Sequence, residues 1–407
     1  MKNNAVNGQV SPSVEMVRSR GALIKALLSL AMGGFAIGTG EFVIMGLLPD
    51  AAHGLGVSIP SAGHLISIYA LGVVIGAPVL AVAGARLSRK TFLIILMAMF
   101  AAGNLMSAWA PDYELMLLMR FIAGIPHGTF FGVAALLAAE LVERSRRAQA
   151  VSMVLLGLTV ANLLGVPAVT AIGQSVGWRT AFAIVGALAV LTMILIYAWV
   201  PWRAGDKTAS PLRELSAITR KQVLLTLAIG SIGNGGMFAV FSYVKPTMLE
   251  LAGHSAAMIP VILSMFGLGM VAGNVIGGRM ADKNLEKTIR YLLLWSILIM
   301  CVYVFTSHYA WPGAITVMLI GTMVSLSSVL QIRLMDVAGD AQTMAAALNH
   351  SAFNTANALG AWLGGLTITA GLGWSSTGWV GAILALAGLG LHFWAVADTK
   401  RSERIAC

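Results

Sequence analysis

Twelve apolar stretches of roughly 20 residues run through this sequence, each about long enough to cross a hydrocarbon core as a helix rising 1.5 Å per residue. They cover 23–48, 62–84, 92–109, 114–138, 148–170, 179–200, 222–244, 259–280, 289–307, 312–333, 343–368 and 377–396. Backbone polar groups inside lipid must be satisfied within the chain, so helices are the form such stretches take. Charge then sets their direction. With the N-terminus placed in the cytoplasm, 23 of the 26 Lys and Arg residues fall on the cytoplasmic side. Arg179 and Lys245 stand opposite, beside Asp50, Asp112, Glu114 and Glu250, and Arg120 falls inside a span. This is the positive-inside pattern. It predicts an all-α membrane protein with 12 transmembrane helices and both termini cytoplasmic.

Composition closes off other classes. Only 10% of residues are charged, against about 25% in soluble domains. The net charge of +10 is spread over short loops and forms no continuous basic patch, which argues against nucleic acid. It fits a topology signal with contacts to anionic lipid. Cys301 lies in a span and Cys407 ends the chain on the reducing side, so a structural disulfide is not expected. Residues 1–21 read as a loose cytoplasmic tail, because the polar start lacks the layout of a signal peptide.

The connections are short except 201–221, a polar, basic linker in which Leu212, Leu215 and Ile218 have the spacing of one amphipathic helix. The linker separates six spans in 22–200 from six in 222–396, followed by a cytoplasmic tail at 397–407. The halves repeat at an offset of 195 to 197 residues. Ile37-Gly38-Thr39-Gly40 matches Ile232-Gly233-Asn234-Gly235, and Asn162-Leu163-Leu164-Gly165 matches Asn357-Ala358-Leu359-Gly360. Gly177-Trp178 matches Gly373-Trp374, and the turn at Arg86–Lys90 matches Lys283–Lys287. Both halves enter from the cytoplasm, so the repeat is parallel, about an axis along the membrane normal. Two pseudo-symmetric six-helix bundles around a central cavity are expected, the architecture of a rocking transporter.

Several motifs carry a family resemblance. Gly278-Arg279-Met280-Ala281-Asp282-Lys283, between spans 8 and 9, resembles the Gly-x-Leu-Ala-Asp-Arg loop of the major facilitator superfamily. Between spans 2 and 3 the first copy is degraded: Ala81 and Ala85 replace Gly and Asp, while Arg86, Arg89 and Lys90 remain. The resemblance implies that these loops latch the halves by charge pairing with helix ends. Arg120-Phe121-Ile122-Ala123-Gly124-Ile125-Pro126-His127-Gly128 resembles the span-4 motif of proton-coupled members. Gly157, Gly165, Pro167 and Gly173 loosely resemble the span-5 antiporter motif, and they mark a flexible or kinked helix between the halves. Gly40-Glu41-Phe42, Ser58-Ile59-Pro60, Tyr69–Val74, Thr159–Gly165 and Phe241–Pro246 are similar to the AraJ-type, arabinose-efflux-like members of the drug:proton antiporter group (the 12-spanner group). The resemblance covers residues 22–396 and implies a fold and a transport class. It names no substrate.

Independently of family, a charge inside the membrane costs several kcal/mol unless paired or hydrated. Glu41 and Arg120 are the two that lie well within spans, and both fall roughly 10 Å below the outer surface. Three readings stay open: a structural ion pair, a carboxylate that changes protonation during the cycle, or a direct substrate contact. Burial favours a neutral carboxyl and a nearby guanidinium favours the ionised one, so a site alternating between them exchanges a proton. The resemblance implies proton coupling for the span-1 acid and the span-4 Arg. His127 follows Arg120 by seven residues on the same face, as a relay, a substrate contact or an interhelical hydrogen-bonding group. Asn104, Asn162, Asn234, Asn274, Asn349, Asn354, Asn357 and His350 form a polar set within the membrane. Asn162, Asn234, Asn354 and Asn357 are the candidates for substrate, on helices that the resemblance places around the cavity. Phe42, Phe238 and Phe241 lie beside them and supply apolar wall or packing.

The function expected is secondary transport: proton-coupled efflux of a small neutral or cationic molecule, a sugar such as arabinose or a drug, by alternating access. A facilitative or symport carrier for sugars or nucleosides is the alternative. The expected partners are a small-molecule substrate, protons and the bilayer of a bacterial cytoplasmic (inner) membrane, with a monomeric chain. No His-Glu-x-x-His, Gly-x-Ser-x-Gly or Walker loop is present, so no enzyme activity, cofactor, metal or ATP drive is expected.

Overall fold

The computed structural model describes residues 20–143, 146–204, 220–338 and 342–406, with side chains except at 81, 148, 342–347, 400 and 402–406. Most of the N-terminal tail, Arg144, and the amphipathic segment with Leu212, Leu215 and Ile218 lie outside the described residues, as does the Ala81 side chain. The elements that follow are helices. The first half contains α1 Arg20–Gly46, α2 Leu48–Leu55, α3 Ile59–Gly84, α4 Arg89–Trp109, α5 Tyr113–Gly124, α6 His127–Glu140, α7 Arg147–Val160, α8 Val166–Val176 and α9 Trp178–Trp199. The second contains α10 Lys221–Gly233, α11 Gly235–Ser242, α12 Ile259–Lys283, α13 Leu285–Thr306, α14 Ala310–Gly321, α15 Ser325–Ala338, α16 Gln342–Thr369 and α17 Ser376–Ala406.

Among the described residues, eleven helical segments are long and apolar enough to cross a membrane. They coincide with eleven of the expected spans. At the remaining position, 343–368, stands the 28-residue α16, which is not among those eleven. Bulky apolar residues such as Leu71, Ile75, Val79, Leu298 and Ile383 are exposed, as a lipid-facing surface requires. Trp109, Tyr309 and Trp311 are exposed toward one end of the helices and Tyr197, Trp202 and Trp394 toward the other, positions where amphipathic rings anchor at membrane interfaces.

Helix starts follow their caps. Ser88 Oγ accepts from the Thr91 amide at 3.2 Å and Asn284 Oδ1 from the Lys287 amide at 2.9 Å. These residues cap the helices after the turn that joins the second and third spans of each half. Arg89 and Lys90 are therefore helical from the outset. Several spans are broken. Pro126 separates α5 from α6, Asn234 separates α10 from α11, and a π-helical turn at Ala161–Gly165 separates α7 from α8. In span 5, where the glycines and Pro167 predict a flexible or kinked helix, the π-helical turn is followed by Val166 and Pro167 in the first turn of α8. Hydropathy does not mark α2, a short outer helix with Pro49 in its first turn and Gly56 closing it at φ 67°.

The halves meet along two seams. The helix α3 packs against α16, where Ser67 Oγ donates to the Ala358 carbonyl at 3.2 Å. The helix α12 packs against α8 and the π-helical turn, where a methyl group on Gly267 would lie 2.7 Å from the Asn162 carbonyl oxygen. The largest apolar core cluster draws on both halves, including Phe42, Leu65 and Val166 with Phe238, Leu263 and Ala361.

Candidate functional site

Glu41 lies on α1, 2% exposed, at the seam between the halves. Its Oε1 accepts from Asn357 Nδ2 of α16 at 3.1 Å. One charged residue in the membrane is thus tied to the opposite half through a single neutral amide.

Arg120 on α5 is fully buried beside it. Its Nη1 donates to the Gly40 carbonyl at 3.1 Å, and its Nε to the Leu65 carbonyl at 3.4 Å. The guanidinium carbon stands 4.2 Å from the centre of the Tyr69 ring and 5.5 Å from that of Phe182. The shared layer expected for Glu41 and Arg120 is present, since Arg120 bonds the carbonyl directly before Glu41. The two do not form one of the described ion pairs. Carbonyl oxygens and aromatic faces hold the guanidinium instead, and Nη2 has no hydrogen-bond partner among the described residues.

His127 begins α6, one helical break below Arg120. The Tyr69 hydroxyl and His127 Nδ1 are 2.9 Å apart. The His127 ring centre lies 5.4 Å from Phe131 and 6.4 Å from His350, and His350 stacks on Phe131 at 5.1 Å. Arg120, Tyr69, His127 and His350 thus form a track from the Glu41 layer toward the middle of α16. The sequence alone does not single out Tyr69 as a site residue. Its signal there is a hydroxyl 58 residues before an intramembrane His, visible only once α3 and α6 are adjacent.

The asparagines carry unused hydrogen-bonding capacity. Asn162 Nδ2 donates to the Leu158 carbonyl at 3.0 Å and Asn354 Nδ2 to the His350 carbonyl at 3.1 Å. The Oδ1 atoms of Asn162, Asn354 and Asn357, and both amide atoms of Asn234, are buried without a partner among the described residues. Buried polar atoms are paired in the great majority of cases, which sets these atoms apart; Asn104 Oδ1 is likewise buried without a partner among the described residues. By contrast Asn274 and Asn349 bond Ser328 and Ser327, as interhelical glue does.

Phe42, Phe238 and Phe241 are all buried, and Phe42 faces the other two across the seam. Phe42 lies parallel to Phe238 at 6.3 Å and edge-on to Phe241 at 6.0 Å. Phe241 stacks on Phe266 at 3.7 Å, and Phe238 meets Phe353 at 4.8 Å. Packing is their evident role here.

The loop residues behave differently. Arg89 pairs with Glu140 and Lys90 Nζ donates to the Tyr197 carbonyl at 2.7 Å, both contacts within the first half. Arg86, Asp282 and Lys283 are exposed, and Gly278 is partly buried. None of these loop residues forms a described ion pair with the other half. Glu41 and Arg120 are also not the only buried charges. Lys245, placed by sequence on the outer side, and Arg333, placed on the inner side, are 2% and 3% exposed. Arg333 pairs with Glu286 and its Nε donates to Thr226 Oγ1 at 3.2 Å. Both lie at span ends, where position along the chain does not reveal whether a side chain turns outward or into the protein.

The profile of the Major Facilitator Superfamily matches this sequence over residues 30–341 and 227–405. The inner membrane transport protein YdhP of Escherichia coli (strain K12) is 38% identical over 380 residues, which is 93% of this chain and 97% of that protein. AraJ of the same strain is 37% identical over 90% of this chain and 93% of its own length. A "Probable sugar efflux transporter" of Mannheimia succiniciproducens is 29% identical over 88% of this chain and 90% of its own length. Among solved structures, a partially occluded inward-open conformation of the xylose transporter XylE from E. coli has the same fold. It has a TM-score of 0.71 at 16% identity, covering 92% of this chain and 97% of that one. The chain belongs to the major facilitator superfamily, as a multi-pass transporter of the cytoplasmic membrane and not an enzyme.

Proposed function

We propose that this transporter exports a small neutral or cationic molecule, a sugar or a lipophilic drug, in exchange for external protons. The single observation that carries this reading is the hydrogen bond from Asn357 to Glu41, which makes a titratable group part of the contact between halves. We place twelve spans in two six-helix bundles, 22–200 and 222–396, with both termini cytoplasmic and the chain acting as a monomer. The relatives named for transport and sugar efflux support the substrate class.

In this reading Glu41 is the proton carrier and Arg120 the group that stabilises its ionised form. Substrate entering from the cytoplasm competes for Asn357 and bonds the Oδ1 atoms of Asn162, Asn354 and Asn357 and the amide of Asn234. Glu41 then loses its proton inward. When the halves rock and the outer side opens, external protons return to Glu41, Asn357 binds it again, and substrate leaves. Each charge moved across the full field is worth about 2.3 kcal/mol per 100 mV, enough for the gradient to drive export. A site with one buried guanidinium and several neutral amides suits hydroxyl-rich or cationic molecules better than polyanions.

The direct test is purified protein in liposomes with a trapped pH dye, challenged with arabinose, other sugars, nucleosides and lipophilic cations. A dye response that depends on one class of compound is expected. Substrate movement with no dye response sinks the proton-coupled reading. Asn234→Ala gives a second check. Its amide has no protein partner among the described residues, so the melting midpoint should hold within about 2 °C. Substrate affinity should nevertheless fall by about 5- to 10-fold, the worth of roughly one hydrogen bond, in a binding titration.

A further inference from the structure

Most described ion pairs lie within one half. Arg89–Glu140 is in the first, and Lys221–Asp398, Arg333–Glu286 and His392–Glu286 are in the second. Among the described pairs, Asp50–Lys245 is the one that joins the halves. Both residues follow the outer end of a span, and α2, which carries Asp50, packs against the turn Val244–Pro246. They are separated by 195 residues, the offset that aligns Ile37–Gly40 with Ile232–Gly235. The two partners are therefore equivalent positions of the repeat, meeting where the halves face each other on the outer side.

The surroundings reinforce the junction. Two residues before Lys245, the Tyr243 hydroxyl donates to the Ala361 carbonyl at 2.8 Å. The same hydroxyl fills a slot left by two glycines. A methyl group on Gly63 of α3 would lie 2.3 Å from it, and one on Gly365 of α16 would lie 2.5 Å away. One short segment thus grips α2, α3 and α16 together. The partners differ in burial: the Lys245 side chain is 3% exposed and that of Asp50 37%.

We propose that Asp50 and Lys245 are the latch of the outer gate, holding the external face shut and parting when substrate leaves. The assignment rests on the alternating-access reading above. They are positioning residues that set which face is open and touch no substrate. Their different burial predicts unequal effects. Neutralising Asp50 strands an ammonium in a buried position, whereas neutralising Lys245 leaves a carboxylate that reaches water.

The test reads access directly. In the full chain with Cys301→Ser and Cys407→Ser, Leu263→Cys places one thiol at the seam, on α12. Leu263 is 1% exposed, and its Cδ1 would lie 2.7 Å from a methyl group on Gly46 of the other half. A membrane-impermeant maleimide is added outside intact expressing cells. Asp50→Asn should raise the labelling rate about tenfold and Lys245→Gln about threefold. The double variant with Asp50→Lys and Lys245→Asp should return to within about twofold of the parent, as a restored pair does. Asp50→Glu, which keeps the charge, should label as slowly as the parent. Thermal unfolding midpoints equal to the parent's separate a change of state from a loss of fold. Single variants that label like the parent, or a charge swap that labels as fast as the single variants, overturn the latch. A parent whose labelling responds neither to substrate nor to a proton gradient instead sinks the transport reading, and the comparison among variants still judges the latch.

Discussion

Replacing Glu41 by Gln should fix substrate binding at the weaker, low-pH level of the wild type and remove its dependence on pH. The two side chains have nearly the same shape, and the new carboxamide would still accept from Asn357 Nδ2 through its carbonyl oxygen, so the contact between halves survives. What is lost is the exchangeable proton. In the wild type, substrate and proton compete, so substrate affinity rises with pH as Glu41 ionises. By linkage, substrate binding must weaken proton binding by the same factor, which for coupled sites is roughly 5- to 150-fold. The variant should show one affinity across the whole pH range, no proton release on binding, and exchange of labelled for unlabelled substrate at a near-normal rate. Isothermal titration in two buffers of different ionisation enthalpy measures the released proton directly. If proton release persists in the variant, another group carries the proton, and the Tyr69–His127–His350 track is the next place to look. If the variant neither binds nor exchanges, Glu41 is a substrate contact rather than a carrier.

Topology is legible because the cost of burying charge and bare backbone in lipid acts on every residue and leaves a pattern in the sequence alone. Glu41 and Arg120 stand out for the same reason. Their partners do not. The bond from Asn357 crosses 316 residues of sequence, and nothing local distinguishes that amide from Asn349, which is ordinary glue. The guanidinium of Arg120 is held by the carbonyls of Gly40 and Leu65, acceptors that every residue possesses and no motif can reveal. Phe42, Phe238 and Phe241 stand close to Glu41 and Asn234 along the chain, yet only the packing of α1 against the second half shows Phe42 lying parallel to Phe238 and edge-on to Phe241, and Phe241 stacked on Phe266. Lys245 reads as an outer-loop charge because hydropathy measures depth along the membrane normal and not direction around a helix. The repeat holds a further clue, since the 195-residue offset pairs Asp50 with Lys245, but equivalence in a repeat becomes contact only when both positions face the axis.

The repeat also sets where substitution should be most damaging. Gly76 of α3 and Gly273 of α12 are 197 residues apart, as are Gly72 and Gly269, and Gly124 and Gly321. Their contacts correspond. A methyl group would lie 2.1 Å from the Ile125 carbonyl oxygen at Gly76 and 2.4 Å from that of Thr322 at Gly273. At Gly72 and Gly269 the distances are 2.3 Å to the Phe121 oxygen and 1.9 Å to the Met318 oxygen. Each half thus packs its second span on its fourth through backbone touching backbone, with no flexible side chain to give way. Gly269→Ala must push α12 from α14, and Gly76→Ala must push α3 from the break at Pro126 that positions His127. Either should cost about 3 kcal/mol or more of packing, seen as a fall of roughly 5 °C or more in the melting midpoint. The same substitution at Gly132 or Gly278, where nothing lies within 4 Å of the added methyl, should be neutral or stabilising, because Ala forms helix better than Gly by about 1 kcal/mol. A loss of transport in Gly278→Ala at an unchanged melting midpoint would then report on the loop's part in the cycle. Equal losses of stability at all four positions would mean that helix approach is not what these glycines provide.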